Sequence, residues 1–219
     1  MGMKTVPQDW TMKDRFMGLL DHMADIQNVQ TIKLFGHYYA TSEIPTLIEY
    51  DPETLDTVQT VDLSKMIPGL VTMTPHPQYD EDGTLWNVGI TPVDLFSSSQ
   101  QYVVFKVGPP VTDEQRANPW LGLTIVTTIQ SPRKGSIPYF HSFFMTKRYM
   151  VLPLHPWITC DTNRIFSEFI FKGRDFMDTM YWDNETMLEF RVIDKTQGAV
   201  LPIRYIADPG KAESILSLY

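Results

Sequence analysis

The chain has 219 residues, 43% of them hydrophobic, a net charge of −8 and a single cysteine, Cys160. This length and hydrophobic content are sufficient for a buried core and exclude wholesale disorder. The acidic charge, without a basic run, argues against nucleic-acid binding. One cysteine excludes an intrachain disulfide and a thiolate metal cluster.

The first 28 residues are expected to contain one short amphipathic helix. Between residues 9 and 26, Phe16, Leu19, Leu20 and Met23 recur at helical spacing. Thr11, followed by Asp14 three residues later, resembles a capping box at the start of this helix. The apolar face fits either packing on a core or docking on a membrane surface. No signal-peptide pattern is present, and no apolar run reaches the roughly 18 residues of a membrane span. The sequence therefore predicts a cytoplasmic protein, with peripheral contact to a membrane as the alternative that the helix leaves open.

From residue 29 onward the hydrophobic pattern has a period of two and predicts strands. Turns are predicted at 51–54 and 81–83, a polar loop at 109–119, and a short helix with a loop at 158–181. Short strands joined by turns indicate an all-β fold built from meanders, for which a β-propeller is one of several solutions. The predicted strands cover residues 31–35, 38–40, 46–50, 58–63, 85–88, 101–107, 123–129, 140–144, 149–154, 187–194 and 199–206.

The five histidines do not by their spacing define a metal site. No pair has the helical spacing of a zinc protease, and neither a Ser-His-Asp signature nor a glycine-rich phosphate loop occurs. His22 is expected to be solvated on the helix, and His37 to lie in a turn before a strand. His155 is expected at a cavity rim or the surface.

Two histidines lie in distinctive surroundings, His76 in TPHPQYDEDGTLWNVG (74–89) and His141 in PYFHSFFMTKRYMV (138–151). These segments resemble the carotenoid cleavage oxygenases, whose pattern is small-His-Pro-His, Asp-x-x-Gly-Thr, Tyr/Trp-Asn-x-Gly and then Tyr-x-His-Ser-Phe-x-x-Thr-x-x-Tyr-x-Val. The segments DPETL (51–55) and DNETM (183–187) also fit. The resemblance extends from about residue 7 to residue 208.

The resemblance implies a seven-bladed β-propeller, of which this chain carries a few blades within a single partial domain spanning 1–219. The helix and lead-in occupy 1–28, the blades 29–208, and an unrelated tail 209–219. In the family, four histidines hold Fe(II) on the propeller axis, and His76 and His141 match the first two. Glu43 matches the glutamate that accepts a hydrogen bond from the second histidine and so fixes its tautomer.

The resemblance further implies a dioxygenase that uses dioxygen to cleave a double bond of a carotenoid or apocarotenoid. The same family includes the retinoid isomerases. The helix face at Phe16, Leu19, Leu20 and Met23 would contact a membrane, and Trp157 would lie where substrate enters.

The chain departs from the family pattern in its iron ligands. It is about half the typical length, and the third and fourth histidines have no counterpart after residue 208. Gln78 replaces the second histidine of His-Pro-His, and Phe144 stands where the family has glycine. Two interpretations therefore stay open, an iron dioxygenase and a catalytically inactive propeller fragment or interaction module. A third, an unrelated propeller that binds a ligand, requires the motif match to be coincidental. An incomplete propeller is also expected to expose sheet edges, which promotes aggregation.

Overall fold

The computed structural model describes residues 9–18, 29–92, 100–159, 161–174 and 176–208. These residues are mostly β, with strands arranged in four antiparallel sheets, so the predicted all-β class is confirmed. The tail at 209–219 and the predicted helical positions 19–26 lie outside the described residues. None of the described helices is long and apolar enough to cross a membrane.

The first sheet is a four-stranded meander in which consecutive strands are neighbours. Period-two alternation places Leu34, Tyr39 and Leu47 in the core. The predicted turn after the third strand is present, and the Asp51 carboxylate accepts hydrogen bonds from the backbone N–H groups of Glu53 and Thr54. The strands are β1 (Gln30–Leu34), β2 (His37–Thr41), β3 (Thr46–Tyr50) and β4 (Thr57–Asp62).

The second sheet is the central one. Its strand β7 is buried on both faces over seven of its eight positions, so this strand is covered on either side. The predicted hairpin turn at 81–83 closes through Gly83, whose φ of 84° favours glycine. The strands are β5 (Thr72–Met73), β6 (Gln78–Tyr79), β7 (Leu85–Pro92), β8 (Gln100–Val107) and β9 (Leu123–Gln130).

The remaining strands form two further sheets, one with the order β10-β13-β14 and one with the order β11-β12-β15-β16. The strand predicted at 140–144 is wrong, because residues 140–143 are irregular and β11 begins at Phe144. The strands are β10 (Ile137–Pro138), β11 (Phe144–Met145), β12 (Tyr149–Leu154), β13 (Trp157–Thr159), β14 (Tyr181–Trp182), β15 (Leu188–Asp194) and β16 (Ala199–Ala207).

Helices are short. The capping box of α1 is confirmed, because the Thr11 N–H donates to the Asp14 carboxylate at 2.9 Å and the Asp14 N–H donates to the Thr11 hydroxyl at 3.3 Å. The loop predicted at 109–119 is wrong in part, since α2 lies within it, capped by the hydroxyl of Thr112. The helix predicted within 158–181 is present. The helices are α1 (Met12–Gly18), α2 (Asp113–Ala117) and α3 (Thr162–Arg164), which continues into a π-helical segment (Ile165–Phe171); single 3₁₀ turns cover Leu63–Lys65, Pro119–Gly122 and Phe176–Thr179.

Two hydrophobic clusters flank the central sheet. One joins it to the first sheet through residues such as Leu47, Phe105 and Trp120. The other joins it to the fourth sheet through residues such as Val88 and Met150. The central sheet is therefore packed between the first and the fourth sheet.

Candidate metal centre

The candidate site is built from four chain segments that are distant in sequence. His76 lies between β5 and β6, and His141 between β10 and β11. Glu43 lies in the connection from β2 to β3, whose carbonyl accepts from the Met73 N–H at 2.9 Å. Gln30 is the first residue of β1. The packing of the sheets therefore brings together side chains that are up to 111 positions apart, from residue 30 to residue 141.

The rings of His76 and His141 face each other. Their Nε2 atoms lie 2.8 Å apart, their ring centroids 4.6 Å apart, and the ring planes meet at 64°. The His141 side chain is 29% exposed, so the pair is partly shielded from solvent. The structure thus brings the Nε2 atoms of the two predicted iron ligands close together.

The other nitrogen of each ring is held by a hydrogen-bond acceptor. His76 Nδ1 contacts the amide oxygen of Gln30, and His141 Nδ1 lies 3.2 Å from the carboxylate of Glu43. The Tyr139 hydroxyl donates to the same carboxylate and lies 3.0 Å from His141 Nδ1. The neutral tautomer that satisfies these contacts carries its proton on Nδ1 and its lone pair on Nε2.

In these tautomers both Nε2 atoms carry lone pairs 2.8 Å apart, a separation that either a proton shared between the rings or a metal ion bound to both nitrogens would satisfy. Burial, followed by the proximity of His141, lowers the pKa of His76, while the charge of Glu43 opposes this effect. The neutral form that binds metals is therefore favoured. Two imidazole nitrogens bound at right angles to one ion, with bonds of about 2.1 Å, are about 3.0 Å apart. The pair thus fits one shared metal ion in donor type and in separation.

The number of ligands is smaller than in the family pattern. Within the described ranges, no group of three or more His, Cys, Asp or Glu residues is placed to hold a metal ion. His155, the nearest further histidine, is buried at 2% exposure, so the expectation that it lies at a rim or the surface is wrong. Its ring packs 5.8 Å from that of Tyr139, and burial lowers its pKa to about 4.

The other predicted positions lie beside the histidine pair, apart from it, or outside the described residues. His37 opens β2 and bonds to Glu49 at 2.6 Å. Trp157 is half-buried and packs beside the site, with its ring centroid 5.3 Å from that of Tyr139; its role where substrate enters stays a prediction. His22, Leu19, Leu20, Met23 and the side chain of Phe16 lie outside what the structure describes.

Sequence reasoning did not single out Tyr139 or Gln30. Tyr139 was detectable, because it is the tyrosine of the Tyr-x-His pattern that also contains His141. Gln30 carries no such signal, since only the packing of the first sheet beside His76 gives it a role.

Comparisons with known proteins show the family to which the chain is similar. Residues 8–210 match the sequence profile of the family described as retinal pigment epithelial membrane protein. The chain is 33% identical over 187 residues to the mitochondrial carotenoid-cleaving dioxygenase of Macaca fascicularis, a match covering 85% of this chain and 32% of that protein. It is 28% identical over 183 residues to the β,β-carotene 15,15'-dioxygenase of Mus musculus, covering 83% and 31%. The chain therefore spans about a third of the length of these curated relatives.

Solved structures show the same fold over part of their length. A mutant of the Synechocystis apocarotenoid oxygenase superposes with a TM-score of 0.64 and 12% identity, covering 95% of this chain and 40% of that one. The lignostilbene dioxygenase of Pseudomonas brassicacearum superposes with a TM-score of 0.56 and 22% identity, covering 82% and 32%. The expected partial β-propeller is thereby confirmed.

Proposed function

Because the chain belongs to the family of the retinal pigment epithelial membrane protein and the carotenoid cleavage oxygenases, we propose that it forms the part of a non-haem Fe(II) dioxygenase that holds the first two iron ligands. The substrate of such an enzyme is a carotenoid or apocarotenoid, and cleavage of one of its double bonds by dioxygen gives two carbonyl products, normally aldehydes. The observation that carries this proposal is the approach of His76 Nε2 and His141 Nε2 to 2.8 Å, with Nδ1 of each ring next to a hydrogen-bond acceptor.

His76 and His141 would hold the metal, and neutral imidazoles suit Fe(II) while leaving its positive charge intact. Bound iron would supply the activation of dioxygen. Gln30 and Glu43 keep the proton of each ring on Nδ1, so that Nε2 remains available as a ligand. Tyr139 donates to the Glu43 carboxylate and thereby orients it toward His141. The half-buried ring of Trp157 packs on Tyr139 and helps to exclude water from this side.

A carotenoid dissolves in lipid, so we propose peripheral contact with a membrane. Support comes from exposed apolar side chains on two adjoining elements. Phe166 and Phe171 are 41% and 64% exposed in the π-helical segment, and Met12 is 54% exposed on α1. Arg15 of α1 donates to the Ile170 carbonyl at 3.3 Å and ties the two elements together. Sedimentation with phosphatidylcholine vesicles should be lost in the F166S/F171S variant, and unchanged sedimentation would exclude this surface.

Localisation stays a prediction. The sequence predicts a cytoplasmic chain, whereas the similar carotenoid-cleaving dioxygenases carry the word mitochondrial in their names. Fluorescence microscopy of a tagged chain would distinguish the two.

A second candidate is a metal-binding but catalytically inactive module. It is favoured by the number of ligands, because in the described part of the chain no third His, Cys, Asp or Glu is placed to hold a metal ion with the two imidazoles. Two protein ligands bind a divalent ion far more weakly than four, since water must occupy the other positions.

Binding of Fe(II) to the purified chain under argon tests both candidates. Wild type, His76→Ala and His141→Ala are titrated, with His37→Ala as the matched control, because His37 is also half-buried but bonds to Glu49. Each site variant should bind at least tenfold more weakly, while His37→Ala should match wild type. Equal binding by a double His76→Ala/His141→Ala variant would contradict the site. Release of aldehydes from an apocarotenoid by the iron-loaded chain would establish the oxygenase, and binding without turnover would establish the inactive module.

A further inference from the structure

The two segments that carry the histidines are joined by side chains rather than by a β-ladder. Thr74, two residues before His76, donates its hydroxyl proton to the His141 carbonyl. Gln78, two residues after His76, donates its amide N–H to the Phe143 carbonyl. The first segment therefore contacts the second on both sides of His76.

Thr74 makes the most direct of these links. Its hydroxyl oxygen accepts the backbone N–H of His76 at 3.1 Å and donates to the carbonyl of His141. A single atom thus connects the backbones of both histidines. A hydroxyl can do this because it is a donor and an acceptor at once, whereas a methyl group of the same size is neither.

Thr74 is itself fixed to the central sheet. Its side chain is 1% exposed. Its N–H donates to the Val88 carbonyl at 2.9 Å, and its carbonyl accepts the side-chain amide of Asn87 at 3.0 Å. The position of the hydroxyl is therefore set by strand β7, and a buried hydroxyl in a fixed place sets the position of the groups it bonds to.

We propose that Thr74 and Gln78 are positioning residues that fix the separation of the His76 and His141 rings. Thr74 sets the spacing of the two backbones, and Gln78 prevents the second segment from pivoting about that link. Gln78 stands where the family pattern has histidine, so this chain makes the second link with an amide. The usefulness of this positioning rests on the proposed metal function, but the separation of the two rings is a property of the metal-free chain.

The test measures that separation directly. In metal-free protein labelled at histidine, nuclear Overhauser effects between the two rings should be observed, because the centroids lie 4.6 Å apart. Thr74→Val, which keeps the shape and removes the hydroxyl, should weaken them at least threefold. Thr74→Ser should leave these effects at the strength of wild type, since serine keeps the hydroxyl. Thr91→Val is the matched control, because Thr91 is a buried threonine of the same sheet whose hydroxyl bonds to Gln101.

Gln78→Leu supplies an independent variant that keeps the test decisive if Thr74→Val fails to fold. It should also weaken the ring-to-ring effects, whereas Gln101→Leu should not. The inference would be overturned if the ring-to-ring nuclear Overhauser effects were unchanged in Thr74→Val or in Gln78→Leu. It would also be overturned if wild type showed none.

A metal readout separates this inference from the proposed function. Cu(II), which imidazole binds more tightly than other divalent first-row ions, serves as the probe in electron paramagnetic resonance. Wild type should show coupling to two nitrogens, and Thr74→Val to one. Coupling to fewer than two nitrogens in wild type, together with intact ring-to-ring effects, would reject the metal site while leaving the positioning role supported.

Discussion

The ammonium group of Lys195 is buried against the carboxylate of Asp80, although 115 positions separate the two residues. The lysine side chain is 4% exposed, donates to the Thr146 carbonyl at 2.9 Å, and lies 5.3 Å from the ring centroid of Trp86. The indole N–H of Trp86 donates to the other oxygen of Asp80 at 2.8 Å. This cluster connects the hairpin before β7 to the turn after β15, and so joins the central sheet to the fourth sheet.

Lys195→Met is expected to destabilise the chain by about 3 kcal/mol. Removing the ammonium leaves the partly buried Asp80 carboxylate without its counter-charge, and an uncompensated buried charge is costly. Urea unfolding followed by tryptophan fluorescence measures the effect.

Lys147→Met is the matched control. Lys147 forms an ion pair at 3.6 Å with Glu81, the residue next to Asp80, but both of these side chains are 86% exposed. Its unfolding free energy should stay within about 0.5 kcal/mol of wild type, as for exposed ion pairs generally. Equal losses in the two variants would show that burial does not govern the Lys195 pair.

Gly89→Ala in β7 is expected to cost roughly 1–3 kcal/mol through overpacking. A Cβ at this position would overlap the Leu70 side chain and lie 2.8 Å from the backbone carbonyl oxygen of Thr72, which cannot move without disturbing β5. Since β5 leads into the His76 segment, Fe(II) binding should weaken as well. Thermal unfolding and the iron titration are the measurements.

Gly108→Ala controls for the loss of glycine itself. A Cβ there would meet only the Thr84 hydroxyl, at 4.0 Å, so the melting temperature should change little. A Gly89→Ala variant as stable as Gly108→Ala would mean that β5 and β7 can separate without cost.

His37 should make the stability of the chain depend on pH. Although burial opposes it, the hydrogen bond to Glu49 and the bond of Nε2 to the Arg116 carbonyl raise the pKa of His37. Both partners are acceptors, so the protonated ring satisfies both at once. Glu49 is the charged side chain in contact, and the ring of Tyr39 stacks at 6.3 Å.

Because the folded pKa lies above that of the unfolded chain, this stabilisation is complete below about pH 6.5 and is lost as the pH rises through the folded pKa. His37→Gln should therefore be less stable than wild type by up to about 1 kcal/mol at pH 5.5, with the difference shrinking by pH 8.5. Urea unfolding at both pH values measures it. A difference that grows with pH would reverse the assigned sign.

The sequence predicted those elements whose limits are set by local chemistry. The strand at Thr46–Tyr50 ends at its predicted residue because the Asp51 turn follows it at once. The strand expected at 140–144 does not form, because the side chains of Thr74 and Gln78 bond to backbone carbonyls in this segment that a β-ladder would use. These partners are 65 or more positions away in the sequence, so no local pattern indicates them. The role of Gln30 depends on similar long-range packing. The α2 helix was missed because the prolines around it indicated a loop, although Thr112 provides its cap.

The chain should self-associate through β16, which lies at the edge of the fourth sheet. Ile203 and Tyr205, on one face of this strand, are 55% and 59% exposed, and Ile206 on the other face is 56% exposed. An edge strand with exposed apolar side chains is a template for pairing with another chain. The Ile203→Lys/Tyr205→Lys variant should therefore remain monomeric at concentrations where wild type forms larger species in sedimentation velocity.

Val111→Lys, which removes a 78% exposed apolar side chain from a loop, should associate as wild type does. A wild type that stays monomeric, or association abolished equally by Val111→Lys, would show that β16 is not the pairing edge.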